Sequence, residues 1–147
     1  MRKTPYLICL LLILTTLSGC MVPEPEDGVS FAFIMLAGDA SRADEGQDGC
    51  GAGSDVECHS VPITGKNSGD VEISTEKSLW EATSNDGANT WSAFSVSGLE
   101  IISPGSDVTL TVHFEVANGE TLSSIKWSDN VEQIGETSTT SPIKAYD

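Results

Sequence analysis

Basic residues are scarce in this 147-residue chain: seven Lys and Arg stand against 22 Asp and Glu, a formal net charge of −15. A nucleic-acid binder needs a basic face to meet phosphate, so that class of partner is excluded. Histidine occurs twice, at His59 and His113, and there is neither a G-x-S-x-G elbow nor an H-E-x-x-H zinc helix. No nucleophile, base and orienting group stand in a recognisable grouping, which argues against an enzyme. Gly49 to Gly53 is rich in glycine, but it neither follows a strand nor opens a helix. It also lies among acids that repel phosphate, so it is not a nucleotide loop. No apolar run approaches the roughly 20 residues that carry a helix across a bilayer, and no repeat of solenoid length is visible. Hydrophobic residues still make up 39% of the chain, enough for the core of one domain and too many for wholesale disorder.

The N-terminus carries an address. Arg2 and Lys3 give a positive start, Leu7 to Leu14 is unbroken apolar sequence, and Leu17-Ser18-Gly19-Cys20 follows. A charged start, a short apolar stretch and small residues before a cut describe an export signal. The last four residues resemble the lipobox of bacterial lipoproteins at all four positions. The resemblance implies a signal peptide over 1–19, cleavage before Cys20, and lipidation of the Cys20 thiol and the new N-terminus. Several acyl chains, each contributing about 0.8 kcal/mol per buried CH₂, form a lasting membrane anchor. In that family an Asp directly after the lipidated cysteine retains the protein at the inner membrane. Met21 stands there, so the resemblance favours the outer membrane. Residues 20–28 read as the lipidated cysteine and a flexible tether, with two prolines and three acids between Met21 and Gly28. Its eight residues after Cys20 reach at most about 28 Å. Loss of Arg2 and Lys3 leaves five basic residues against 22 acidic ones, a charge of about −17 that anionic headgroups repel.

Of the four cysteines, Cys9 leaves with the signal and Cys20 is lipidated. Cys50 and Cys58 remain, an even pair in an exported chain, and are read as a disulfide across a flexible seven-residue loop. The rival is a zinc site drawing on Cys50, Cys58, His59 and His113, but its cysteine spacing is wider than the usual C-x₂₋₄-C.

Residues 29–147 read as one β-domain. Val29 to Leu36 is a short apolar run, suited to a strand buried on both faces or to the first strand of a sandwich. Asp39 to Glu57 holds six acids and four glycines and is expected to be a long acidic surface loop. Val56 to Thr64 is expected to be a strand that Pro62 confines to an edge or ends, followed by turn residues from Gly65 to Asp70. Val71 to Thr75 alternates as a short strand, and Glu76 to Thr83 could hold a helical turn. Ser84 to Gly87 is a turn signal. Trp91 to Ser97 reads as one strand with Phe94 and Val96 on its core face. From Val108 to Val116 every even position is apolar and every odd one polar, the period of a half-buried antiparallel strand. On this pattern His113 is an exposed strand residue. Asn118-Gly119 signals a reversal. The next strand carries Ile125 and Trp127 on one face, with Leu122 out of phase, the signature of a bulge.

Short strands between Gly, Pro and Asn turns, with no convincing helix, indicate an all-β antiparallel β-sandwich. Ser106 to Gly135 resembles the B-strand, turn and C-strand unit of immunoglobulin-like and PKD-like extracellular modules, with Trp127 as the core tryptophan of the second strand. The resemblance implies an immunoglobulin-like sandwich. Two departures stand out: no cysteine pair bridges the sheets, and only twenty residues follow Trp127, so either strands before Ser106 complete the sandwich, or the topology differs, or the reading frame is cut short.

The functional reading is a lipid-anchored, non-enzymatic binding or structural protein of the bacterial cell envelope, with the membrane and an envelope protein or glycan as partners. The alternative is an adhesive module that depends on calcium or binds carbohydrate. Ca²⁺ takes six to eight oxygens from a pliable backbone, and Asp39, Asp44, Glu45, Asp48 and Asp55 could supply several, although their spacing is not that of an EF-hand. Exposed Trp80 and Trp91 faces would stack on sugar rings. Apart from calcium in that alternative, no cofactor is implied.

Overall fold

In the computed structural model, residues 28–43, 50 and 55–146 are described. The signal at 1–19, Cys20 and the tether up to Asp27 lie outside the described residues, as do Asp44, Glu45 and Asp48. The strands are β1 (Phe33–Ala37), β2 (Ser41–Ala43), β3 (Val56–Asn67), β4 (Ile73–Ser74), β5 (Trp80–Ser84), β6 (Thr90–Ser92), β7 (Ser95–Ser97), β8 (Ile101–Ile102), β9 (Asp107–Ala117), β10 (Leu122–Val131) and β11 (Gly135–Pro142). They form an all-β antiparallel sandwich. One sheet runs β1-β3-β9-β7, with β2 also on β3; the other runs β11-β10-β5-β6; β4 and β8 make a small third pair.

The period-two segment becomes β9, and its alternation decides which face is core. Val108, Leu110, Val112, Phe114 and Val116 all point inward and are buried. Opposite them in register lie Ile63, Val61 and His59 of β3. The facing sheet contributes Ile125 and Trp127 of β10, paired with Ala82 and Trp80 of β5. Trp127 is the centre of this interior: Phe31 stacks on it at 5.6 Å and Phe33 meets it edge-on at 5.5 Å. Such aromatic pairs add about 1 kcal/mol each beyond the area they bury.

Polar groups in the interior are satisfied by pinning loops. The Trp127 indole N–H donates to the Ser74 carbonyl at 2.9 Å, and that of Trp80 to the Thr75 carbonyl at 3.3 Å. Asn67 is wholly buried; its amide donates to the carbonyls of Val71 and Ile102 and its oxygen accepts from the Gly69 N–H. Where β1 lies against β11 of the other sheet, the Ala37 N–H donates to Ser141 Oγ at 2.9 Å. Beyond it Ala40 bridges Tyr146 and its N–H donates to the Ala145 carbonyl.

Four expectations are corrected. β1 is the first strand of the sandwich and not a strand buried on both faces: Phe33, Met35 and Ala37 point inward while Ile34 and Leu36 are exposed. β3 does not stop at Pro62 but continues to Asn67 inside the sheet. The Pro62 carbonyl accepts from Gly38, between the stretch of β3 that pairs with β1 and the stretch that pairs with β2. In a strand N–H and C=O of one residue face the same side, so the missing donor falls in that gap. The segment from Trp91 to Ser97 is not one strand. The Ala93 N–H donates to Trp80 of one sheet and the Phe94 N–H to His113 of the other, so the chain changes sheets between adjacent residues. Phe94 is thereby turned outward and is 41% exposed, while Val96 packs against the core. Finally, β2 lies within the stretch expected to be loop.

The turn at Asn118-Gly119, with Gly119 at φ 87°, carries the chain from one sheet to the other. This is the placement implied by the immunoglobulin-like unit, in which the Trp-bearing strand lies in the facing sheet. The register of β10 shifts between Leu122 and Ser124, as the phase break at Leu122 predicts.

Candidate functional site

The sheet change at Ala93 and Phe94 opens a groove beside the sandwich. Gly98 then lets the chain leave β7. Its φ is +138°, and a Cβ there would stand 2.8 Å from Leu110 Cβ, so only glycine fits. Residues 99–102 next fold onto the segment around Thr75: the Thr75 hydroxyl donates to the Leu99 carbonyl, and the Thr75 N–H to the Glu100 carbonyl at 2.9 Å. Between these walls lies a depression of about 590 Å³, bordered by Glu76, Lys77, Phe94, Leu99, Glu100 and Ile101 among others.

Its lining is unusual for this surface. Among the described residues five large hydrophobic side chains are exposed, and three of them, Phe94, Leu99 (59%) and Ile101 (52%), border this one groove. Exposed apolar side chains scattered singly need no explanation, whereas a concentration rimmed by polar groups marks a contact surface. Lys77 Nζ lies 6.0 Å from the Phe94 ring centroid, a cation–π distance. Glu76 and Glu100, exposed on the same rim, take no part in the ion pairs found among the described residues.

The two histidines occupy opposite faces of the larger sheet, since His59 pairs in register with the inward Phe114 and His113 with Ser60. His113 is not the exposed residue its odd position predicts; it is 5% exposed. Ser60 Oγ lies 2.8 Å from its Nδ1 and Ser97 Oγ 3.0 Å from its Nε2, so one imidazole joins β3, β9 and β7. Neither Ser97 nor His113 borders the groove.

His59 is fully buried. The Leu122 N–H donates to the Tyr146 oxygen at 2.7 Å, which directs the Tyr146 O–H to Nδ1 of His59 at 2.9 Å. Nδ1 is then the acceptor, and the proton sits on Nε2, 3.4 Å from a Glu57 carboxylate oxygen. Burial holds the His59 pKa below its ordinary value, against the opposing hydrogen bond to Glu57. Burial likewise pushes the Tyr146 hydroxyl above the usual tyrosine range. Arg42 sits over the Tyr146 ring at 5.4 Å and reaches Glu57 at 3.8 Å.

The sequence-predicted residues fare unevenly. Cys50 and Cys58 are bonded, with Cα atoms 5.8 Å apart. Their sulfurs are therefore not zinc-ligating thiolates. Trp80 is 1% exposed, buried against Trp127, and offers no face to a sugar. Trp91 is partly buried, packed on the core from β6. Asp39 and Asp55 are exposed, while Asp44, Glu45 and Asp48 lie outside the described residues. Among the described residues no group of three or more His, Cys, Asp or Glu gathers to hold a metal ion. Sequence reasoning missed Phe94, Leu99 and Ile101 as surface residues. The signal was present in Leu99 and Ile101, apolar residues confined between Gly98 and the Ser103-Pro104-Gly105 turn.

No protein-family model matches the sequence, and no curated protein matches it. A solved structure that resembles the fold is that of MPT63, a secreted protein from Mycobacterium tuberculosis. It has 14% identity and a TM-score of 0.49 over 72% of this chain and 79% of that one.

Proposed function

We propose that this protein is a non-enzymatic binding module of the bacterial cell envelope, anchored through lipid on Cys20, that holds a partner in the groove formed by Phe94, Leu99 and Ile101. The concentration of three exposed apolar side chains at one groove carries the reading. The lipobox-like sequence before Cys20 supports the anchor, and the absence of Asp after it favours the outer membrane. A lipidated chain works beside a bilayer, so a groove on its folded body meets partners by lateral encounter.

Two measurements test it. The intact mass of the protein expressed in a bacterial host should show the leader removed and acyl chains added, and Cys20→Ser should leave the membrane fraction. A photo-crosslinking residue at Leu99 should trap an envelope component that the same residue at Glu81, exposed on the other sheet, does not trap. An unmodified Cys20, or equal trapping from both positions, overturns the proposal.

A further inference from the structure

We infer that the occupant of the groove is an extended, basic segment of a partner protein, in which apolar side chains alternate with Lys or Arg. This rests on the groove being a binding site.

Three observations define the chemistry. The first is spacing: Leu99 and Ile101 are two residues apart and both exposed. They stand on either side of the bend at Glu100, and Ile101 opens β8. A strand-like ligand presents its own alternate side chains about 6.6 Å apart, so successive apolar positions of such a ligand can reach successive apolar residues of the floor. The second is charge. Glu76 and Glu100 stand on the rim, in none of the ion pairs among the described residues, next to the apolar floor. Among the described residues at the rim the one cation, Lys77, is directed over Phe94. The third is the field of the whole chain, −15 at pH 7, which draws cations and repels anions on approach. An acidic segment would meet that field and both carboxylates. A neutral one would leave both carboxylates unpaired beside an apolar contact. A basic, apolar-alternating strand pairs with the rim and covers Phe94, Leu99 and Ile101.

The test uses the full-length protein and two defined peptides of about nine residues, one alternating Val with Lys and its counterpart alternating Val with Glu. The readouts are methyl NMR shifts of Leu99 and Ile101 together with titrated affinity. The lysine peptide should shift both methyl groups, while the glutamate peptide should not. Its affinity should fall about three- to ten-fold in the Glu76→Gln/Glu100→Gln double variant, as expected for two exposed ion pairs. It should fall again between low and high salt. Equal binding of the glutamate peptide, or an unchanged affinity in the double variant, overturns the basic occupant while the groove reading stands. If neither peptide moves the methyl signals and a neutral oligosaccharide does, the occupant is a glycan and the inference fails. If none of the three moves them, both readings fail.

Discussion

The hydroxyl of Tyr146 lies 2.9 Å from Nδ1 of His59, joining the last described residue to the buried face of β3. Because that oxygen also accepts the Leu122 N–H, removing it strands two partners at once. Tyr146→Phe should lower stability by about 2 kcal/mol, measured by urea denaturation.

The same pair sets a pH dependence. An unfolded histidine titrates near 6.5, and burial puts the folded value of His59 below that. Above pH 6.5 neither state is protonated and stability is complete. As the pH falls the unfolded chain takes up the proton first, so stability declines until the folded value is also passed. The groups facing His59 are Glu57, Arg42 and Tyr146. The melting temperature should drop between pH 7 and pH 5, and His59→Gln should flatten that drop. Asp70 and Asp86 act in a separate window. Hydrogen bonds from the Ser30 backbone and side chain depress Asp70, and those from the Ser84 hydroxyl and the Ala88 N–H depress Asp86. Their contribution is present above about pH 3.8 and is lost in more acid solution. An equal drop in wild type and His59→Gln would show that His59 does not govern the upper window.

Asn67 holds together the turn after β3 and the segment at Ile102 with one amide. Asn67→Leu leaves the Val71 and Ile102 carbonyls and the Gly69 N–H without their partner. The expected cost is about 3 kcal/mol, seen as a lower urea midpoint with an unchanged slope.

The Cys50–Cys58 bond closes a short loop. Chain entropy alone assigns such a loop about 2.5 kcal/mol. The Cys50→Ser/Cys58→Ser variant should lose about that much, and dithiothreitol should lower the melting temperature of the wild type but not of the variant.

Gly98→Ala should destabilise by at least about 2 kcal/mol. It places a side chain at φ +138° and drives its Cβ into Leu110. Thermal melting measures this, and an unchanged melt would show that the backbone there relaxes freely.

Much of the fold was legible because strand period and turn chemistry act locally. The alternation of Val108 to Val116, the phase break at Leu122 and the glycine turn at Asn118-Gly119 all read directly into structure. What escaped depends on partners distant in sequence. Nothing in Trp91 to Ser97 says that Ala93 and Phe94 will serve different sheets. His113 sits at a polar position of its strand, and neighbours brought in from β3 and β7, Ser60 and Ser97 among them, make it a buried residue. Pro62 reads as an edge or terminating residue because the break between β1 and β2 beside it is tertiary. The groove was hidden for the same reason, since Phe94 was assigned to the core by a strand phase that the sheet change cancels.

Ala37 is held by Ser141, and Ala40 by Ala145, so the opening strand finds its lateral neighbour more than a hundred positions later. During synthesis β1 must wait, one flank open, until Ser141 and Ala145 arrive. Closure therefore demands long loops to be pinned before they are rewarded, which makes acquisition of the native state slow. Anything that keeps strands apart during that interval decides whether the product is a sandwich or an aggregate.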